Sequence, residues 1–327
     1  MKNSTLFRTA SAAIIGMAAS LSIQTSYAQA PNRSLERHDF FYAGERVQHK
    51  MYKVKDGKVI WEYFDPNGKG EISDAVLMSD GNILIAHQHG IKEITEKKEV
   101  VWSMDTPKGY EIHSIQPIGK NHVVYVQCGN PMTVVVMEIP SKKIVRQFEV
   151  PHRKPGGSHG QNRNITLTKA GTLLIASMEM NTIFEFDSKG NQLNAWKVPS
   201  AWGVDELKNG NILVTGNNGT VREIDRNGEV VWSYEWKRSE KYPEVSTQKS
   251  YRLKNGNTLM GNWWNEWSGK KVDRNNPPVQ FIEVTPAGEI VWELASWNEP
   301  ADLGPSTTIQ LLSEPVNRKK MKFGEFK

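Results

Sequence analysis

His113, His159 and Arg163 are the residues of this chain best suited to moving a proton near neutral pH. An imidazole changes charge between about pH 5 and 8, and a guanidinium beside it can hold the negative charge that a departing proton leaves behind. With the amides Gln161 and Gln248 they make the set that β-elimination from a uronate requires: a base for the proton beside the carboxylate, and donors for the charge that develops. Sulfuryl transfer draws on the same residue types with histidine as the nucleophile, and a non-catalytic ring that binds a sugar or a partner loop is the third reading. The usual glycosidase needs two carboxylates flanking one bond; Glu71, Asp74, Glu111 and Glu179 stand only near the aligned positions, so that route is disfavoured. His87-Gln88-His89 offers two imidazoles without a third ligand, so no metal is assigned.

These residues meet only if a repeated element brings them together, and the repeat is visible. Apolar segments ending in tryptophan recur as KVIW at 58 to 61, EVVW at 99 to 102, EVVW at 229 to 232 and EIVW at 289 to 292. Ahead of them run alternating segments such as IFEFDSKG at 183, VREIDRNG at 221 and FIEVTPAG at 281, each entering a glycine turn. A further pair of strands is joined through SDGNILI at 79, KAGTLLI at 169, KNGNILV at 208 and KNGNTLM at 254. Alternation with β-branched residues reads as strands, and the Asn-Gly-type turns as hairpins. Each unit is therefore four strands, A to D, the make-up of one propeller blade. Five units are complete. Strands B, C and D near the N-terminus lack an A, and STTIQLL at 306 to 312 is an A without the rest, so a sixth blade is stitched from both ends of the chain. The expected fold is all-β, a β-propeller of six four-stranded blades, with seven blades the alternative.

The G-x-V-V-W and N-G-N-x-L pattern resembles the repeats of PQQ-type propellers, the superfamily of the quinoprotein dehydrogenases and the bacterial arylsulfate sulfotransferases. It covers most of residues 39 to 312. The resemblance implies the fold; the single Cys128 departs from the vicinal cysteine pair that many quinoproteins place beside their cofactor, so no PQQ and no other cofactor is expected. The chain also resembles secreted propeller proteins of Bacteroidota whose function is largely unknown.

In such a fold the A strands line a central channel, and the residues that open A and close B converge on one face. Nine positions before the residue that follows each A–B turn stand Ser73, His113, Arg163, Trp202 and Gln248. Five positions after it stand His87, Gln127, Ser177, Gly216 and Asn262. His113, His159 and Arg163 are the catalytic candidates; Ser73, His87, Gln127, Gln161, Trp202, Gln248, Lys249 and Asn262 are candidates for holding substrate. Residues 261 to 278 insert GNWWNEWSGKKVDRNNPP into the fifth unit above the same face, adding Trp263 and Trp264 as surfaces against which a sugar ring can stack.

Residues 1 to 30 carry Lys2 and Arg8, an apolar stretch from Ala10 to Ile23 and small residues around Ala28 and Ala30, the pattern of a signal peptide. Its apolar stretch is too short for a membrane span. An exported protein, periplasmic or secreted, is expected, with the propeller over 31 to 316 and a basic, solvated tail at 317 to 327. The 327 residues balance 41 Lys and Arg against 36 Asp and Glu, a formal charge of +5 that falls to +3 without Lys2 and Arg8. No run of basic residues marks a nucleic-acid surface. The expected partner is an acidic poly- or oligosaccharide, and the expected state a monomer.

Overall fold

The computed structural model describes residues 33–46, 49–154 and 156–327; the expected signal peptide lies outside them. The chain opens with β1 (Phe40–Gly44), β2 (Met51–Lys55) and β3 (Lys58–Tyr63). Five sheets follow: β4 (Ile72–Leu77), β5 (Ile83–His87), β6 (Gly90–Ile94) and β7 (Val100–Asp105); then β8 (Glu111–Ile118), β9 (His122–Cys128), β10 (Thr133–Glu138) and β11 (Ile144–Glu149). Next come β12 (Asn162–Leu167), β13 (Leu173–Ser177), β14 (Thr182–Phe186) and β15 (Gln192–Lys197), then β16 (Ala201–Glu206), β17 (Ile212–Gly216), β18 (Thr220–Ile224) and β19 (Val230–Glu235). The fifth is β20 (Thr247–Arg252), β21 (Thr258–Asn262), β22 (Phe281–Val284) and β23 (Ile290–Leu294), after which β24 (Ser306–Leu311) pairs with β1. Six four-stranded antiparallel sheets result, and the sixth, in the order β24-β1-β2-β3, joins the two ends of the ring. Tyr42 opposite Ile309 sets the register of that closure. Pairing the first and last strands leaves no open edge between the outer blades.

The repeated residues explain themselves in contacts. Gly210, with φ 88°, turns the chain between β16 and β17 in a conformation that a side chain resists. The next residue, Asn211, donates from Nδ2 to Glu223 Oε1 at 2.7 Å, and the same link recurs from Asn82 to Glu93 at 2.8 Å and from Asn257 to Glu283 at 2.6 Å. The glutamate in the third strand of each of these blades is thus buried but satisfied. The tryptophans of the outer strands reach the following blade: Trp61 Nε1 donates to Glu96 O at 2.8 Å and Trp232 Nε1 to Pro286 O at 3.0 Å. Trp102 instead donates within its own blade, to Glu93 Oε2 at 2.8 Å. Apolar clusters fill the wedges between blades, among them Val134, Ile165, Leu173 and Phe184.

The C-terminal segment differs from the solvated end its charge suggests. Phe323 is fully buried within the cluster around Ile165, Arg318 pairs with Glu93 at 3.0 Å, and Ser188 donates to Glu325 Oε2 at 2.6 Å. One aromatic side chain and two polar anchors outweigh the local excess of lysine. No helix among the described residues is long and apolar enough to cross a membrane.

Candidate functional site

The first residues of β4, β8 and β12 bring one polar cluster to the mouth of the channel. Because successive strand residues face opposite ways, Glu111 and His113 share the channel side of β8. Ser73 and Arg163 approach from the strands on either side. His159 comes down from the single-turn helix Ser158–Gly160 that precedes β12. His113 is fully buried, whereas the His159 side chain is 55 % exposed.

Glu111 Oε2 lies 2.9 Å from His113 Nε2 and 2.9 Å from His159 Nδ1. Although burial opposes it, hydrogen bonds from both histidines hold the Glu111 carboxyl far below the usual carboxylate range. An ionised carboxylate only accepts, so each facing ring nitrogen carries a proton. The other nitrogen of His159, Nε2, lies 3.3 Å from Arg163 Nη1, a group that only donates. The His159 ring is thus held with Nδ1 donating to Glu111 and the Nε2 lone pair accepting from Arg163. His113 is enclosed on both sides: Nε2 donates to Glu111, and Nδ1 stands 2.9 Å from the Ser73 hydroxyl and 3.4 Å from Arg163 Nη1, while Ser73 itself donates to Glu71 Oε1 at 2.8 Å.

Arg163 organises the rest. Its Nη2 donates to Glu71 Oε1 at 3.0 Å, its Nη1 to the His159 carbonyl at 3.0 Å, and its guanidinium covers the Trp202 ring at 4.1 Å. Burial opposes ionisation of Glu71, but the adjacent Arg163 and the hydrogen bonding of His113 hold its carboxyl well below the usual range. Glu45 behaves in the opposite way. It is 1 % exposed, and burial, then the neighbouring Glu71 charge, push its carboxyl well above the usual value, despite Arg163 and the 2.6 Å bond from Trp267 Nε1. Two adjacent carboxyls in one dry site do not both ionise, so Glu45 is the one that keeps a proton.

A cavity of about 310 Å³ opens over this floor, lined by Glu45, Glu71, Gln88, His159, Trp263 and Trp267 among others. The insertion after β21 is its roof. The indole nitrogens of Trp263 and Trp264 are buried without a partner among the described residues, and Lys270 lies 5.9 Å from the Trp264 ring centre. Ligand atoms of Glu71, His113 and His159 lie within 4.8 Å of one another, a donor set of the kind a divalent metal takes. The Arg163 guanidinium, however, reaches all three side chains, at 3.0, 3.4 and 3.3 Å. A fixed cation already stands among those donors, so the set does not fit a second one.

Of the residues singled out from the sequence, Ser73, His113, His159, Arg163 and Trp202 converge here, with Trp263 above them. Others are engaged elsewhere. Gln161 clasps the backbone of Gly129 with both ends of its amide, at 2.7 and 2.9 Å, and Asn262 holds Ser246 N at 2.7 Å and the carbonyls of Glu244 and Val279 at 3.0 and 3.1 Å. Both amides are spent on loop backbone, which leaves neither free to hold a substrate. Lys249 pairs with Asp74 deeper in the channel. His87 packs against His49 with ring centres 5.2 Å apart, and burial together with His49 pushes it down to about 3. Gln127 sits on β9 opposite Ile112 and makes no side-chain hydrogen bond among the described residues, while Gln248 is buried with Nε2 unpartnered. Glu45, Glu71 and Glu111 are not among the residues that the sequence singled out for the site. Glu71 and Glu111 lie two residues before Ser73 and His113, hence on the same strand face, and that spacing was the available signal.

No protein-family profile and no curated protein sequence matches the chain. Solved structures do. A protein of unknown function from Bacteroides caccae is 20 % identical, covering 83 % of this chain and 98 % of its own, with a TM-score of 0.67. A streptogramin B lyase is 14 % identical over 83 % of this chain and 87 % of its own, with a TM-score of 0.56. Virginiamycin B lyase from Staphylococcus aureus, solved with quinupristin as a catalytically inactive histidine-to-alanine variant, is 16 % identical over 80 % of this chain and 86 % of its own, with a TM-score of 0.55. What they share with this chain is the β-propeller.

Proposed function

We propose that the protein is an exported, carbohydrate-directed lyase that cleaves a uronate-containing glycan by β-elimination. The observation that carries this reading is His159, whose Nδ1 is anchored on Glu111 at 2.9 Å and whose Nε2 accepts from Arg163 Nη1 at 3.3 Å, on a half-exposed side chain that lines the solvent-reached cavity. Paired groups whose environments drive their protonation apart mark acid and base roles. His159 takes the proton from the carbon beside the substrate carboxylate, the electron pair left there forms the double bond as the bond from the next carbon to the glycosidic oxygen breaks, and that oxygen leaves with the proton the imidazolium returns. Glu45, protonated beside Glu71, keeps a second negative charge out of the floor beneath. Arg163, only 3 % exposed, acts as a positioning residue rather than a direct contact: it fixes Glu71 and the His159 backbone and keeps positive charge near the reacting atoms. His113, hydrogen-bonded on both ring nitrogens and sealed from solvent, is a positioning residue that holds Glu111 and Ser73 in place. Trp263 and Trp267 supply apolar faces that suit a sugar ring, and Trp263 adds an unpartnered indole donor. Two of the neighbours described above are lyases, which is compatible with this reaction class, though their likeness is one of fold.

The test is a scan of uronate polysaccharides for the ultraviolet absorbance of a newly formed conjugated double bond. Appearance of the chromophore with at least one polymer supports the lyase. Measurable binding of several polymers without the chromophore replaces it with a binding propeller.

A further inference from the structure

Below the histidine cluster the channel is crossed by a belt of polar side chains. Ser114 donates to Asp74 Oδ2 at 2.6 Å, Lys249 pairs with the other Asp74 oxygen, and Asn164 joins Ser114 at 3.3 Å to Val204 N at 3.1 Å. Beyond the belt lies a second cavity of about 280 Å³, which none of the residues proposed above for the reaction lines. Leu253, Leu259, Ile309 and Met321 contribute to walls that are mainly apolar, and Asp205 and Tyr251 bring polar groups among them.

The charges around this cavity do not cancel. Lys249 is held by Asp74, and Arg252 is paired with Glu223 at 3.1 Å. Asp205 also lines the cavity, yet it forms no ion pair among the described residues. Burial pushes the Asp205 carboxyl up to about 7, against a backbone hydrogen bond from Glu206 and the charge of Lys249, which Asp74 already holds. The volume falls just below the ~300–1,000 Å³ of sites for drug-sized ligands, so the occupant is small.

We propose that this cavity binds a small organic cation, a primary amine on a short apolar body, with its ammonium on the Asp205 carboxylate and its carbon chain against Leu253, Leu259 and Ile309. An ammonium supplies the missing charge together with three donors, and the apolar walls remove the rest of the molecule from water.

Calorimetric titration of the full chain at pH 8 with hexylamine, hexanol and hexanoate tests this. Hexylamine should bind one to one, at least tenfold more tightly than the other two. Asp205→Asn should weaken it at least tenfold, Asp205→Glu should keep most of the affinity, and His159→Ala should leave it unchanged. Equal binding of hexanol and hexylamine, no binding of the amine, or full amine affinity in Asp205→Asn would overturn the proposal. The comparison of amine and alcohol needs only the wild-type protein, so the result stands even where a variant fails to fold.

Discussion

His159 Nδ1 and Glu111 Oε2 lie 2.9 Å apart, and the same carboxylate oxygen lies 2.9 Å from His113 Nε2. One ionised group thus fixes the tautomer of an exposed imidazole while holding a buried one. Replacing it should therefore disturb chemistry more than binding. Glu111→Gln is expected to lower kcat by about 100-fold or more, within the range of lost acid–base assistance, with KM changed far less. Steady-state kinetics on the responsive polymer measures the split; an equal loss in KM alone would assign Glu111 to substrate binding.

Arg163 is the cation that lets Glu71 stay ionised under burial, at 3.0 Å. Arg163→Met leaves that carboxylate without its partner, a change that typically costs about 3–5 kcal/mol. Arg163→Lys should recover only part of the loss, because one ammonium cannot reproduce a fork that serves Glu71 and the His159 carbonyl together. Urea unfolding of the three proteins at pH 7 gives the comparison.

Asp205 makes the opposite kind of contribution. Its folded carboxyl is raised from 3.8 to about 7, so between those values the folded state binds more protons than the unfolded chain. Stability from this group is present at low pH and is lost as pH rises through that window. Asp205→Asn, which cannot ionise, should therefore gain on the wild type progressively from pH 5 to pH 8. Chemical denaturation at the two pH values reads the difference, and a gap that narrows toward pH 8 would contradict the assignment.

Phe323 anchors the last residues of the chain in the core beside Ile165. Phe323→Ala should cost about 3–5 kcal/mol, the usual range for emptying a buried aromatic position. Deleting residues 318 to 327 should cost at least as much, since Arg318 to Glu93 and Ser188 to Glu325 go with it. Thermal and urea unfolding would detect either loss.

The ring itself was legible because its information is local and repeated. The glycine turns, the alternating strands and the Trp-ended segments state the blade, and the orphan strands at 40 to 63 and 306 to 311 state the closure. The site was legible only in part. His113, His159 and Arg163 could be brought together by aligning the units, but Gln161 and Asn262 show that a polar residue at an aligned position can be consumed by the loop beside it. Glu71 and Glu111 were passed over for lying one strand step from the aligned ring. Glu45 could not be seen at all: it follows β1 in the stitched blade, and its proton depends on the packing of Glu71, which the sequence places 26 residues away. The tail misled because its lysines face solvent while Phe323, Arg318 and Glu325 dock it.

The account rests on His159 as the proton acceptor. The most direct test is the rate of chromophore formation by wild type, by His159→Ala, and by His159→Ala with added imidazole, on protein shown to be folded. The account predicts a loss of at least about 100-fold with partial recovery as free imidazole enters the vacated space. Undiminished elimination by His159→Ala would contradict it.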